Sequence, residues 1–261
     1  MNKYIEKIIQ HIHLIRFRYH ITFFVVILGA VISTNEPFCT LIKPLLITYF
    51  SFNILLYGGL YALNDIADIE SDRKHPQKKN RPLPSGSISI LSAYIFALTF
   101  IFLGLGIAFF YLGQNIFLIY LLFIVVNLIY TRIAKKIPYV EILFNGLTYP
   151  MRFFLGISLV TNKVPYLFLF AIFLLAFGIA VVRRVIEKRQ PGWDARQVLR
   201  HYTEEKLIFI QIIAFIFIVI TSVIDYPFYT IWYVVVAIIY FIFVFGIYFN
   251  TNFINFYKWI F

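Results

Sequence analysis

The sequence contains little charge and almost no cysteine. Charged residues make up only 13% of the 261 residues, while 61% are hydrophobic. A soluble domain carries about a quarter charged residues, so the composition excludes an ordinary soluble protein. Cys39 is the single cysteine, which excludes an internal disulfide framework.

The sequence contains several long runs of apolar residues. Several of them approach or exceed the ~20 residues that a helix needs to cross a bilayer. The sequence therefore predicts an all-α, polytopic bundle of membrane helices. The eight predicted spans are 17–35, 40–63, 88–111, 115–130, 138–160, 165–184, 205–224 and 227–249.

The net charge of +11 is distributed unevenly along the chain. With the N-terminus inside, every Lys and Arg except Lys43, Arg152 and Lys163 falls in or beside an inner segment. Such an asymmetry is typical of the positive-inside rule. It predicts an integral membrane protein with a cytoplasmic N-terminus, and it makes the basic excess a topology signal rather than a nucleic-acid site.

We find no soluble domain between the apolar runs, so we predict one transmembrane domain over 1–261. Residues 1–16 have isoleucines at helical spacing with charges between them, which favours an in-plane interfacial helix. The inner segments 64–87 and 185–204 are long and polar. Function tends to lie on such loops, and we predict that both are cytoplasmic active-site loops.

An acidic cluster ends the second span, in the stretch NDIADIESD at residues 64–72. On a helix turning about 100° per residue, four polar side chains share about a quarter of the circumference, whereas Glu70 falls on the other face. The four are Asn64, Asp65, Asp68 and Asp72. Carboxylates this close repel unless a cation lies among them, and such oxygen ligands suit Mg²⁺. The alternative is a solvated acidic helix end balanced by the bases that follow.

This stretch is similar to the N-D-x-x-D-x-x-x-D signature of the UbiA superfamily of intramembrane prenyltransferases. RKHPQKKNRPLPSG, at residues 73–86, resembles the extension that follows it in that family. The predicted bundle has eight transmembrane helices, or nine if it follows the family's usual count, and the resemblance implies a central cavity that opens to lipid. It implies Mg²⁺ on the four ligands above and a diphosphate leaving group, with Asp65, Asp68 and Asp72 as catalytic carboxylates. The bases that would bind substrate phosphates are Lys74, Lys78 and Arg81.

A basic cluster stands where many family members carry a second Asp-rich motif, in VVRRVIEKRQPGWDARQVLRHYTEEKL at residues 181–207. We predict two stripes, the second on a helix capped by Asp194. Arginine offers planar, bidentate donors for phosphate, and the pattern resembles the polyprenyl-phosphate phosphoribosyltransferase branch. The alternative is a basic loop that sets topology. The stripes are Arg183, Arg184 and Glu187, then Arg196, Arg200 and Thr203.

Supporting positions lie between the two clusters. Tyr130 and Lys135 resemble the family's Y-S-x-x-x-K stretch, and Glu141 stands where the family often has Asp. Arg152 lies inside the fifth predicted span, where an arginine costs at least ~2.5–3.5 kcal/mol and is a functional candidate. Tyr130, Lys135 and Arg152 are therefore predicted to bind substrate. The alternative for Arg152 is snorkelling or pairing with Glu141.

The resemblance implies Mg²⁺-dependent transfer of 5-phosphoribose from phosphoribosyl pyrophosphate to a polyprenyl phosphate at the cytoplasmic membrane face. One alternative is transfer of a prenyl group from a prenyl diphosphate to an aromatic or glycerol-phosphate acceptor. Another is a lipid-binding or transport protein without chemistry. The expected partners are an isoprenoid lipid phosphate, a diphosphate-bearing substrate and membrane lipids. A homo-oligomer is compatible with the sequence, but nothing indicates one. RFRYHITFF, at residues 16–24, replaces the branch's Trp-x-Lys-Asn element.

Overall fold

The computed structural model describes residues 3–74, 78–190, 197–225 and 229–249, and the regular structure of these residues is helical without a strand. The α-helices are α1 (Lys3–Leu14), α2 (Phe24–Ile32), α3 (Phe38–Thr48), α4 (Tyr57–Lys74), α5 (Ile90–Ile107), α6 (Gln114–Arg132), α7 (Val140–Ser158), α8 (Tyr166–Lys188), α9 (Glu204–Ile224), α10 (Thr230–Tyr240) and α11 (Gly246–Phe249). Tight 3-10 turns occur at Phe17–Phe23, Lys78–Asn80, Ala134–Lys136 and Gln197–His201. Wider π-helical turns occur at Tyr49–Leu56, Ala108–Leu112 and Phe241–Phe245.

Seven helical stretches in the described part of the chain are long and apolar enough to cross a membrane. They are Ile8–Ile32, Phe38–Lys74, Ile90–Leu112, Gln114–Lys136, Tyr166–Lys188, Glu204–Ile224 and Thr230–Phe249. Large apolar side chains such as Phe102, Phe110 and Ile231 are more than two-thirds exposed on these helices. Such a surface suits hydrocarbon rather than water, so the chain is an integral membrane protein.

All eight predicted spans form helices, which confirms the prediction of an all-α membrane bundle. The segment predicted as the fifth span forms α7 but is not among the seven apolar stretches. Glu141, Asn145 and Arg152 lie on that helix and lower its hydropathy. Residues 250–261, where a ninth helix would begin, lie outside the described residues.

The helices form two compact units. The first contains the chain up to Arg132 together with Arg152–Lys163, and the second contains Ile133–Met151 together with the chain from Val164 onward. Helix α7 contributes its first part to the second unit and its last part to the first. The prediction of one domain over the whole chain stays a prediction.

Close helix contacts in the first unit depend on small residues. A Cβ added at Gly59 would lie 2.6 Å from the Ala97 carbonyl oxygen, so α4 approaches α5 at backbone distance. Gly156 of α7 similarly lies against the Val26 carbonyl of α2. Small residues at such crossings allow the backbone approach that drives helix association in lipid.

The second unit is built around α8, which packs against α9 and α10. Its Gly178 faces the Tyr240 ring, at 2.6 Å from the position that a Cβ would take. Tyr240 is fully buried and donates its hydroxyl hydrogen to the Gln211 carbonyl oxygen of α9 over 2.8 Å. The three helices are therefore joined by a glycine contact and by a buried hydrogen bond.

We predict that Gly156→Ala destabilises the protein because the new methyl group would overlap the Val26 carbonyl. Overpacking of this kind costs about 1–3 kcal/mol, so the melting temperature in detergent, followed by tryptophan fluorescence, should fall. Gly106→Ala is the control, because no atom lies within 4 Å of its added Cβ. Equal melting of the two variants would contradict the packing account.

Candidate active site

The acidic cluster lies on the continuous helix α4, as predicted from the helical spacing of residues 64–72. Asp65 and Asp72 are only 5% and 4% exposed, whereas the side chain of Glu70 is 84% exposed. The helix therefore turns two carboxylates inward and leaves the off-face acid at the surface. Charges buried to this degree are costly unless a partner neutralises them.

Cations of the same unit neutralise both buried carboxylates. The Arg81 guanidinium bridges them, with its Nη1 atom 2.8 Å from Asp72 Oδ2 and 3.8 Å from Asp65 Oδ1. Lys78 lies 3.8 Å from the second Asp72 oxygen, and Arg16 donates a hydrogen bond to Asp65. Burial lowers the pKa of the Lys78 ammonium, although Asp72 acts in the opposite direction.

The other two members of the cluster are linked to each other and to α6. The Asn64 amide donates to Asp68 Oδ2 over 3.2 Å, and the Thr131 hydroxyl donates to Asn64 Oδ1 over 3.3 Å. Thr131 follows Tyr130, one of the predicted substrate-binding residues, at the end of α6. The last turn of α6 thus helps to orient the amide of the acidic cluster.

The oxygen ligands of this cluster are of the type that binds a hard divalent cation, but their side chains do not converge on one point. Three carboxylates and an amide oxygen on one helix face are the ligands that Mg²⁺ prefers. Within the described residues, however, no three acidic, histidine or cysteine side chains converge as a metal site. Asp65 and Asp72 are instead paired with Arg16, Arg81 and Lys78. Metal ligation by the cluster stays a prediction.

Arg152 is buried in the first unit and surrounded by aromatic rings. Its exposed fraction is 1%, and its guanidinium carbon lies 4.5 Å from the centre of the Tyr57 ring. The rings of Phe52 and Phe123 lie at 5.9 and 4.9 Å. Cation–π contacts of this kind partly compensate for lost hydration. Because the side chain is enclosed, the snorkelling alternative for Arg152 is wrong.

The basic cluster belongs to the second unit, where its central arginine is committed to a buried ion pair. Arg184 is 2% exposed and donates to both oxygens of Glu141, the second over 2.6 Å. Its third nitrogen donates to Glu187 over 2.6 Å. Burying a charge pair is favourable only when the geometry satisfies its hydrogen bonds, and this pair is bidentate. A direct role of Arg184 in substrate binding stays a prediction.

Tyr202 completes this network from the connection before α9. Its hydroxyl donates to Glu141 over 3.1 Å and accepts the Tyr139 backbone N–H over 3.1 Å. Burial, followed by the nearby Glu141 carboxylate, raises the pKa of the Tyr202 hydroxyl, so the group remains a donor. Lys188 donates to the Tyr202 carbonyl oxygen. The start of α7, the end of α8 and the connection before α9 are thereby held together around the buried Glu141 carboxylate.

The prediction that Arg200 and Thr203 share one face of an α-helix is wrong. Gln197–His201 forms a 3-10 helix, and Thr203 has extended backbone and caps α9 by accepting the Lys206 N–H. Three residues per turn and a cap place Arg200 and Thr203 differently from an α-helix. Asp194 and Arg196 lie outside the described residues. Arg183 is 43% exposed and pairs with Glu187 over 3.2 Å, and Arg200 is exposed.

The sequence profile of the UbiA prenyltransferase family matches residues 22–254. The chain belongs to this family. A solved UbiA homolog from Archaeoglobus fulgidus, bound to GPP and Mg²⁺, aligns with a TM-score of 0.76 over 90% of this chain and 86% of that one. Its sequence identity is 18%, so it shows the fold alone.

Curated relatives of this UbiA-family chain differ in specificity. Digeranylgeranylglyceryl phosphate synthase of Methanocaldococcus jannaschii is 37% identical over 111 residues, which is 42% of this chain and 38% of that protein. Decaprenyl-phosphate phosphoribosyltransferase of Mycobacterium tuberculosis is 29% identical over 162 residues, which is 60% of this chain and 52% of that protein. The chain spans between 18% and 52% of the length of the curated relatives it matches.

Sequence reasoning about the UbiA-type clusters missed Arg16 as a partner of Asp65. Arg16 stands in the stretch where the sequence departs from the phosphoribosyltransferase pattern, and no spacing rule connects it with α4. The remaining predicted positions are surface or half-buried. Lys74 is exposed at the end of α4, whereas Tyr130 and Lys135 are half-buried.

We predict that Glu141→Gln destabilises the protein strongly, because the buried Arg184 loses its bidentate counter-charge. Breaking a buried pair on one side costs about 3–5 kcal/mol, so the melting temperature in detergent should fall clearly. Glu70→Gln removes an exposed charge that pairs with Arg73 at 3.2 Å, and it should change stability by less than about 0.5 kcal/mol. A Glu141→Gln variant as stable as Glu70→Gln would contradict the structural role of the pair.

Proposed function

We propose that this UbiA-family chain catalyses Mg²⁺-dependent transfer of 5-phosphoribose from phosphoribosyl pyrophosphate to a polyprenyl phosphate. The observation that carries the proposal is the charge of residues 181–207, where bases stand in place of a second Asp-rich motif. Two diphosphate-binding metal sites suit a prenyl diphosphate. One acidic and one basic cluster suit a substrate pair with additional phosphate groups.

Two cations whose side chains are accessible support phosphate binding in the second unit. Arg183 and Arg200 reach the surface, whereas Arg184 is enclosed by Glu141 and Glu187. We assign Arg183 and Arg200, with Arg196 and Thr203, to the ribose 5-phosphate or to the acceptor phosphate. The similarity to a mycobacterial decaprenyl-phosphate phosphoribosyltransferase supports this assignment.

The acidic cluster would bind the pyrophosphate end of the donor. Asn64, Asp65, Asp68 and Asp72 would hold the ion, and Lys74, Lys78 and Arg81 would bind phosphate oxygens beside them. Bound Mg²⁺ supplies charge neutralisation and Lewis acidity at the leaving group. Solved UbiA homologs bound to GPP or DMAPP together with Mg²⁺ support a divalent metal in this family.

The proposed step forms one C–O bond and breaks another at the anomeric carbon of ribose. An oxygen of the lipid phosphate attacks that carbon while the bond to pyrophosphate breaks, and pyrophosphate leaves as an anion. The acceptor phosphate is already ionised at neutral pH, so the chain needs no general base. Its side chains bind, orient and neutralise the two phosphates.

A second candidate is transfer of a prenyl group from a prenyl diphosphate to a glycerol-phosphate acceptor. The specific support is the 37% identity to the digeranylgeranylglyceryl phosphate synthase of Methanocaldococcus jannaschii. A phosphate-bearing acceptor would also suit exposed arginines in the second unit. In either reaction we place both clusters at the cytoplasmic face, because the basic residues concentrate on the inner segments.

We predict that Asp65→Asn and Asp68→Asn each abolish transfer while membrane insertion is preserved, and that EDTA abolishes transfer by the wild type. Loss of a carboxylate ligand weakens metal binding, so too little metal is bound to neutralise the diphosphate. Incorporation of label into lipid by purified membranes is the readout. Glu70→Gln, on the opposite face of α4, should retain activity. Full activity of both Asn variants, or activity insensitive to EDTA, would overturn the metal role.

We predict that lipid becomes labelled when membranes receive labelled phosphoribosyl pyrophosphate and polyprenyl phosphate. A parallel mixture contains labelled prenyl diphosphate with glycerol phosphate or aromatic acceptors. Membranes carrying Asp68→Asn control for incorporation by other enzymes. Label that enters lipid only in the second mixture would replace phosphoribosyl transfer with prenyl transfer.

A further inference from the structure

Arg16 contacts the proposed metal ligands from outside the acidic cluster. It lies between α1 and the 3-10 turn Phe17–Phe23, and its backbone is left-handed, with φ 55° and ψ 56°. Among the described non-glycine residues, only Arg16 and Tyr139 have positive φ. Residues other than glycine rarely adopt this backbone conformation, which persists only where the surrounding structure imposes it.

The side chain of Arg16 is engaged with α4 at two points. Its Nη2 atom donates to Asp65 Oδ1, and its guanidinium carbon lies 5.2 Å from the centre of the Tyr61 ring. The Arg16 side chain is 16% exposed and that of Asp65 is 7% exposed. Arg81 is farther from the same carboxylate oxygen, at 3.8 Å, and is closest to Asp72. Arg16 is thus the nearest cation to Asp65.

Packing on α4 holds Arg16 in this place. Leu14 is 1% exposed and belongs to an apolar cluster with Ala62 and Ile69 of α4. The side chain of Ile15 lies 3.5 Å from the position that a Cβ at Gly58 would occupy. The two residues before Arg16 are therefore fixed against the helix that carries the acidic cluster.

Arg16 and a divalent metal would compete for the same carboxylate oxygen. A guanidinium within hydrogen-bond distance of Asp65 Oδ1 repels a second cation that approaches that atom. We infer that Arg16 is the resident counter-ion of Asp65 and that a divalent cation must displace it to reach the acidic cluster. This inference rests on the proposed metal role of Asp65.

The consequence is a carboxylate oxygen that is already occupied and oriented before the metal arrives. Binding of the metal then exchanges one cation for another at Asp65 Oδ1. The same exchange releases the Arg16 side chain from α4, while Leu14 and Ile15 stay packed on that helix.

Binding of Mn²⁺ to the full-length protein in detergent tests this inference directly. Electron paramagnetic resonance of the free ion gives the dissociation constant without substrate and without turnover. Arg16→Gln should bind Mn²⁺ about tenfold more tightly or better, because a positive charge next to the ligand is removed. Arg16→Lys keeps the charge and should stay near the wild type.

Arg18→Gln is the matched control, since Arg18 is exposed and lies two residues after Arg16, in the 3-10 turn that Arg16 precedes. It should leave Mn²⁺ affinity unchanged, and Asp65→Asn added to Arg16→Gln should cancel the gain. Equal affinity of wild type and Arg16→Gln, weaker binding by Arg16→Gln, or an equal gain in Arg18→Gln would overturn the inference. If no variant binds Mn²⁺ while Asp65 is intact, the proposed metal site itself is wrong.

Hydrogen exchange gives an independent readout of displacement. Saturating Mn²⁺ should speed exchange of the amides between Leu14 and Tyr19 in the wild type but not in Asp65→Asn. Unchanged exchange in a wild-type protein that binds Mn²⁺ would show that Arg16 stays on Asp65, which contradicts displacement.

Discussion

Charges that are enclosed in a membrane bundle must be neutralised within the protein, because lipid offers them neither water nor counter-ions. Each unit of this chain meets that requirement around buried acids. In the first unit, Asp65 and Asp72 are held by arginines and a lysine. In the second unit, Glu141 is held by Arg184 and a tyrosine hydroxyl. The helix ends that carry these groups are fixed by charge as well as by apolar packing.

These ionic contacts connect segments that are far apart in the chain. Arg16 and Asp65 are separated by 49 residues, and Tyr202 and Glu141 by 61. The two described non-glycine residues with positive φ are Arg16 and Tyr139, and each belongs to one of the networks. Strained backbone persists only where its surroundings over-determine it. Here the buried carboxylates supply that constraint.

Sequence reasoning succeeded where a pattern is local. The inward face of α4 follows from helical spacing, and the helical bundle follows from apolar length. The pairing of Asp65 with Arg16 and of Glu141 with Arg184 could not be predicted in this way, because residues 49 and 43 positions apart meet only through helix packing. The helical stripe through Arg200 failed for another reason: Thr203 caps α9, and a cap imposes extended backbone just where an α-helix was expected.

Adjacent arginines of the second unit differ in burial and in the partners that they contact. Arg184 cannot turn to a ligand without leaving Glu141 uncompensated, whereas the neighbouring Arg183 has a pair that is partly exposed and easily exchanged. Surface ion pairs contribute little to stability, so a phosphate could replace Glu187 as the partner of Arg183 at small cost. The buried pair then acts by anchoring the end of α8 and the turn before α9. Selection of the transferred group would rest on the exposed cations that this anchor holds in place.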